Sequence, residues 1–129
     1  MKAARLKIYF DGGCRPNPGT LEVAVVARGV PYFLDNLGQG TNNDAEWLAL
    51  IHGVEIARRL GAQDFVLLGD SALVINQANG VWKCRGAALQ AHYATFKLLS
   101  EDMTGLQIRK IGRAQNLAGI ALAARHARG

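Results

Sequence analysis

The sequence predicts a mixed α/β fold, in which three antiparallel hairpin strands and two further strands form a five-stranded sheet with helices on both faces. Three observations lead to this prediction. Residues 5–37 alternate short apolar segments with Gly, Pro and Asn turns, which is typical of an antiparallel meander. Residues 45–127 alternate helical and strand-like patterns, which adds strands through crossover helices. Half of the 129 residues are apolar, enough for one core, so we expect a single domain over residues 1–129.

The predicted elements follow one another in the order βββαβααβα. Strands are predicted at residues 5–10, 21–27, 32–37, 64–69 and 106–111. Helices are predicted at residues 45–60, 71–78, 87–99 and 117–127. In the first strand, Leu6, Ile8 and Phe10 share one face, the period-two pattern of a half-buried strand. Polar residues from Thr41 onward suit the start of the first helix, and Gly61 suits its end.

The charge of the chain is uneven. The formal net charge is +5; residues 1–64 carry seven basic and seven acidic side chains, whereas residues 65–129 carry eight basic and three acidic ones. A basic half either binds a polyanion such as nucleic acid or only aids solubility, and charge alone does not decide between them. No apolar run approaches the roughly 18 residues of a membrane helix, and the alternating N-terminus does not resemble a secretory signal. We therefore expect no membrane association and a cytoplasmic location.

The cysteines and histidines give no strong functional signal. Cys14 and Cys84 are too few for a disulfide framework and match no metal-binding spacing. We expect free thiols, and a bridge between the two stays open because sequence does not show their distance. The three histidines are expected at the surface: His52, His92 and His126.

Three carboxylates stand where a purely structural sequence would avoid them. Asp11 and Asp70 directly follow apolar strands, at the strand ends where sites collect in α/β sheets. Glu46 shares a helix face with Leu50 and Gly53, so it faces the sheet, and a glycine inside a helix indicates close helix–sheet contact. A buried carboxylate must be paired or bind a cation, and converging acids favour Mg²⁺ or Mn²⁺. Taken singly, Asp11 and Asp70 could equally be turn formers or helix caps.

Four motifs in order along the chain resemble those of type 1 ribonuclease H. Residues 9–19 read YFDGGCRPNPG, residues 41–46 read TNNDAE, residues 68–71 read LGDS and residues 79–83 read NGVWK. The second matches the family pattern TNNxAE and the third matches GDS at a strand end. Because order, spacing and element layout agree over essentially the whole chain, the combined resemblance is highly specific.

The resemblance implies an endonuclease that cuts the RNA strand of an RNA–DNA hybrid with two Mg²⁺ ions, for which Mn²⁺ can substitute. Water would attack the phosphate and leave 5′-phosphate and 3′-hydroxyl ends. By motif match, Asp11, Glu46 and Asp70 would be the catalytic metal ligands, and Glu46 would also contact a ribose 2′-hydroxyl. We expect a monomer.

The resemblance also assigns substrate contacts to six residues: Asn17, Thr41, Asn42, Asn43, Trp82 and Lys83. The three asparagines match positions near the minor groove, where amides can bond both 2′-hydroxyls and base edges. The threonine would bind a phosphate of the DNA strand. The tryptophan would pack against deoxyribose, with the lysine beside it.

The chain departs from the family pattern at one metal ligand. The family usually carries a fourth acid on the C-terminal helix, in a pattern like N-x-x-A-D-x-L-A. Here residues 116–123 read NLAGIALA, which puts Ile120 at the acidic position. Because isoleucine cannot coordinate a cation, we expect weaker binding of the second ion, slower turnover and a preference for manganese. Asn116 either reaches the site through water or caps the helix, and Arg113 either contacts a phosphate or stays in solvent.

Two other interpretations stay open. The first is a hybrid-binding domain whose chemistry has decayed, because Ile120 occupies a catalytic position. The second is a nuclease of the same fold that acts on double-stranded RNA. The three intact acids favour an enzyme, since a pure binder gains nothing from them. The asparagines and Trp82 favour the hybrid as substrate.

Overall fold

The computed structural model describes residues 5–127, and within that range the fold is a six-stranded mixed sheet with four helices. The strands are β1 (Leu6–Arg15), β2 (Gly19–Ala27), β3 (Val30–Leu34), β4 (Gln39–Gly40), β5 (Asp64–Gly69) and β6 (Gly105–Lys110). The helices are α1 (Asn42–Arg59), α2 (Ala72–Ala78), α3 (Ala87–Ser100) and α4 (Leu117–Ala127), and a 3₁₀ turn covers Arg113–Gln115. None of the helices in this range is long and apolar enough to cross a bilayer.

The sheet has the predicted topology, with one added strand. Its order is β3-β2-β1-β5-β6; β1, β2 and β3 are antiparallel, and β5 is parallel to both β1 and β6. The prediction of five strands was wrong because β4 also pairs with β2, through Gly19 opposite Gly40 and Thr20 opposite Gln39. Two residues are too few to show the alternation from which a strand is predicted.

β1 extends beyond its predicted end and carries Asp11 inside the strand. Its antiparallel pairing with β2 continues to Arg15, because Gly12 and Gly13 are as extended as the residues before them. Its parallel pairing with β5 stops earlier, at Tyr9 opposite Leu68. Asp11 and Asp70 therefore each lie two residues beyond the last β1–β5 pair, which brings them to the same edge of the parallel strands.

The two faces of the sheet are covered unequally. The main core lies between the sheet and helices α1, α2 and α3, and its largest fully buried side chains include Trp47, Phe10 and Phe65. α4 covers the other face through a small cluster: Ala24, Val26, Ala118 and Leu122. The predicted close approach at Gly53 is confirmed, because a Cβ there would lie 2.9 Å from a Leu67 methyl group.

Two of the three histidines are less exposed than predicted: His52 is buried and His92 is half-buried. His52 is 5% exposed on α1, and His92 on α3 bonds Asp44 at 2.9 Å and stacks on Trp47. The prediction failed for His92 because α3 packs against α1, which stacks the His92 ring on Trp47 and brings it to Asp44. The two cysteines are free thiols, so the bridge left open by the sequence is not formed.

Candidate active site

The three predicted carboxylates converge at one edge of the sheet. Asp11 comes from β1, Asp70 directly follows β5, and Glu46 lies in the first turns of α1. One oxygen from each lies within 4.8 Å of the other two. We call these residues the acidic triad. A capping box at Thr41 and Asp44 fixes the start of α1 and therefore the position of Glu46 relative to the sheet.

Glu46 is positioned by the backbone of β1. The Gly12 N–H donates a 2.5 Å hydrogen bond to Glu46 Oε1. A Cβ at Gly12 would lie 2.2 Å from the carbonyl of Ala45, so only glycine lets α1 come this close. The sequence reasoning missed Gly12, although a glycine directly after a candidate metal ligand signals a close backbone approach.

The triad has unusual electrostatics. Burial, together with the charge of Asp70, raises the pKa of Asp11 to about 6. Burial, together with the charge of Asp11, raises the pKa of Glu46 to about 9, and the Gly12 N–H opposes this rise. Ionisation of these acids is therefore disfavoured, and a bound cation would stabilise their charged forms. Because the donors are all carboxylate oxygens, the residues fit a hard divalent ion such as Mg²⁺ or Mn²⁺.

Asn116 is fully buried and joins the site directly. Its amide NH₂ donates to Asp70 Oδ2 at 2.9 Å and to the Phe10 carbonyl at 3.0 Å. Its side-chain oxygen accepts from the Ala118 N–H at 3.1 Å. The sequence left a helix cap and a water-mediated contact as alternatives. In the structure Asn116 caps α4, and its amide also contacts Asp70 directly.

An open cavity of about 610 Å³ surrounds the triad. Asn42, Asn43, Arg113 and Ile120 line it, so the structure brings these predicted residues together with the acids. The first turn of α4 lies over Asp11, since a Cβ at Gly119 would be 3.4 Å from Asp11 Oδ2. This part of the cavity wall carries no acid, and the Ile120 side chain is half exposed beside it.

Comparisons with known proteins agree with this geometry. The family model described as "Reverse transcriptase-like" matches residues 10–126. Ribonuclease HI of Halobacterium salinarum is 34% identical over 95% of this chain, and the chain spans 64% of that relative's length. The chain belongs to the ribonuclease H family.

Solved ribonuclease H structures match over nearly the whole chain. The RNase H1 of Halobacterium salinarum superposes with a TM-score of 0.84 at 34% identity, covering 92% of this chain and 94% of that one. LC11-RNase H1, solved in complex with an RNA/DNA hybrid, superposes with a TM-score of 0.82 at 27% identity, covering 92% and 93% of the two chains. These matches confirm the predicted fold class.

Four residues that the ribonuclease H resemblance assigned to substrate do not line the cavity: Asn17, Thr41, Trp82 and Lys83. Asn17 accepts a hydrogen bond from the Asn42 N–H at 3.1 Å, which ties the β1–β2 turn to the start of α1. Trp82 and Lys83 are exposed on the segment between α2 and α3. Buried Gln77 holds this segment by bonding both the Trp47 indole and the Lys83 carbonyl.

One acidic residue near the triad was missed by the sequence reasoning. Glu22 on β2 also lines the cavity, and it bonds His126, which lies at the surface as predicted. The signal was a single acid in the otherwise apolar strand LEVAVVA. The sequence alone does not show that Glu22 faces the triad, because that depends on the register of the β1–β2 hairpin.

Proposed function

We propose that this ribonuclease H-like chain is an endoribonuclease that cuts the RNA strand of RNA–DNA hybrids with the help of divalent metal ions. The observation that carries the proposal is the convergence of Asp11, Glu46 and Asp70 in an open cavity. A purely structural sheet edge would not collect three acids whose charges repel one another. The match to a ribonuclease H1 solved with an RNA/DNA hybrid supports this choice of substrate.

The acidic triad would hold two Mg²⁺ ions, for which Mn²⁺ can substitute. When bound, such ions activate water and stabilise the charge that develops at the phosphate, which gives 5′-phosphate and 3′-hydroxyl ends. The protein contributes orientation: the Gly12 N–H fixes Glu46 and the Asn116 amide fixes Asp70. Arg113, which lines the cavity, would supply a positive charge for a substrate phosphate.

The substrate would span two surfaces. Asn42 and Asn43 in the cavity, with Asn17 beside them, would bond the 2′-hydroxyls and base edges that distinguish RNA from DNA. Thr41 would bind a phosphate of the DNA strand, and exposed Trp82 would pack against its sugars, with Lys83 beside it. Ile120 would weaken binding of the second ion and slow turnover. That residues 1–129 form one ribonuclease H-like domain of a monomeric, cytoplasmic enzyme remains our proposal on the sequence evidence.

The test is cleavage of labelled RNA–DNA hybrid, double-stranded RNA and double-stranded DNA, each with EDTA, Mg²⁺ or Mn²⁺. We expect metal-dependent cutting of the RNA strand of the hybrid alone, and none by Asp11→Asn. Tight hybrid binding without metal-dependent cutting would instead identify a decayed binding domain. Equal cutting of double-stranded RNA would contradict the assignment of the hybrid as substrate.

A further inference from the structure

Glu22 lies on the same face of the sheet as Asp11. In the β1–β2 ladder, Glu22 is opposite Gly13 and Ala24 is opposite Asp11, so both acids project toward α4. A Cβ at Gly13 would lie 3.0 Å from Glu22 Oε1 and 3.3 Å from a Leu122 methyl group. The carboxylate therefore occupies space that is available only because β1 has a glycine at this point.

The Glu22 carboxylate is held rather than free. Its side chain is 15% exposed, and Nε2 of His126 on α4 is hydrogen-bonded to Oε1. Burial and Asp70 are the main causes of the raised pKa of Asp11, and the charge of Glu22 adds to them. Without a cation, the two carboxylates repel each other. A divalent ion between them would attract both carboxylates and so offset this repulsion.

α4 offers no ligand on this side of the cavity. The α4 residues that line it are Gly119, Ile120, Leu122 and Ala123, and none of these side chains can coordinate a metal. In the part of the chain that the structure describes, Glu22 is the acid of the cavity lining that stands outside the triad. Glu22 therefore provides a carboxylate on the side of Asp11 where α4 contributes none.

We propose that Glu22 is the fourth carboxylate of the metal centre and helps to hold the second divalent ion in place of the acid that α4 lacks. His126 is a positioning residue that fixes the Glu22 carboxylate over Gly13. This inference rests on the proposed function, because it assumes that the acidic triad binds metal. It explains how a ribonuclease H-like site can keep a second ion with isoleucine at position 120.

The test is Mn²⁺ binding to the full chain without substrate, measured by titration calorimetry, with thermal melting of each variant. Glu22→Gln should weaken the weaker Mn²⁺ site by about tenfold, a loss typical of removing a group that supports a metal. Glu101→Gln removes an equal charge at the C-terminal end of α3 and should change the affinity less than twofold. In the Glu22→Gln background, Ile120→Asp should restore the lost affinity, because it returns a carboxylate to the same side.

Unchanged Mn²⁺ affinity in Glu22→Gln would overturn the inference. If melting temperature then falls equally in Glu22→Gln and His126→Gln, the pair only ties α4 to β2. Asp11→Asn separates this failure from failure of the proposed function. If Asp11→Asn loses Mn²⁺ binding while Glu22→Gln does not, the metal centre stands without Glu22. If Asp11→Asn also binds Mn²⁺ normally, the assignment of the metal centre is wrong.

Discussion

The two sides of the active-site cavity are built differently. On the side formed by β1, β5 and α1, each element contributes one acid of the triad: Asp11, Asp70 and Glu46. On the side formed by α4, the cavity wall is made of small and apolar side chains. One side therefore carries the acids expected of ribonuclease H, and on the other Ile120 stands where the family pattern has an acid.

The difference follows from how much structure depends on each side. α1 is packed into the main core around Trp47, so a shift of Glu46 would disturb many buried side chains. α4 rests on a small cluster that includes Ala118 and Leu122, and Ile120 is half exposed. A substitution at Ile120 changes the site without disturbing the core. Function can therefore vary on the α4 side at little cost in stability.

The largest expected effect is on the α1 side. Glu46→Gln keeps the shape of the side chain but removes a metal ligand, so cleavage of the hybrid should fall by at least about 10³-fold. Hybrid binding, measured by gel shift, should stay within about threefold, because most of its affinity comes from phosphate contacts elsewhere. Cleavage that survives at more than a tenth of the original rate would show that Glu46 is not a ligand.

Gly12→Ala tests the contact between β1 and α1. The added Cβ would lie 2.2 Å from backbone atoms of Ala45, which cannot move without shifting α1. We expect a loss of about 3 kcal/mol in the free energy of unfolding, at the upper end for overpacking. Denaturant titration measures it. A loss below about 1 kcal/mol would mean that α1 can move away from the sheet, and the α1 side would then be no more rigid than α4.

The same contrast explains what the sequence could predict. β5 and α4 match their predicted bounds, and the acidic triad was found because strand ends and helix periodicity are local signals. Glu22 was missed because its face depends on the register of β2 against β1. The partial burial of His92 was missed because it depends on α3 packing against Trp47 of α1. The face of Glu22 and the environment of His92 each depend on how two elements pack, which a local pattern does not show.

A smaller effect is expected on the α4 side. Ile120→Asp adds a carboxylate to the α4 wall of the cavity, which carries none, so the cleavage rate at limiting Mg²⁺ should rise about tenfold. Ile120→Asn is the matched control, since it has the same shape without the charge, and it should change the rate less than twofold. An equal gain in both variants would show that the apolar side chain, rather than missing charge, limits the present enzyme.

The smallest effect concerns stability without metal. Asp11 and Glu46 have pKa values raised to about 6 and 9 from ordinary values of 3.8 and 4.5. The folded chain therefore binds these protons more tightly than the unfolded chain. The stability that they contribute is complete below the ordinary values and is lost as pH rises through about 6 and then 9. Between these limits the metal-free chain should lose at least about 1 kcal/mol.

Other groups titrate in the same range with the opposite sign. Burial lowers the pKa of His52, so its contribution is lost as pH falls. The measurement is therefore the difference in unfolding free energy between the original chain and Glu46→Gln, in EDTA, from pH 5 to 9. The variant should gain in relative stability as pH rises, because glutamine has no proton to lose. Saturating Mg²⁺ should reverse the trend, since ions bind the deprotonated acids. A difference independent of pH would show that repulsion among the acids on the α1 side does not destabilise the metal-free fold.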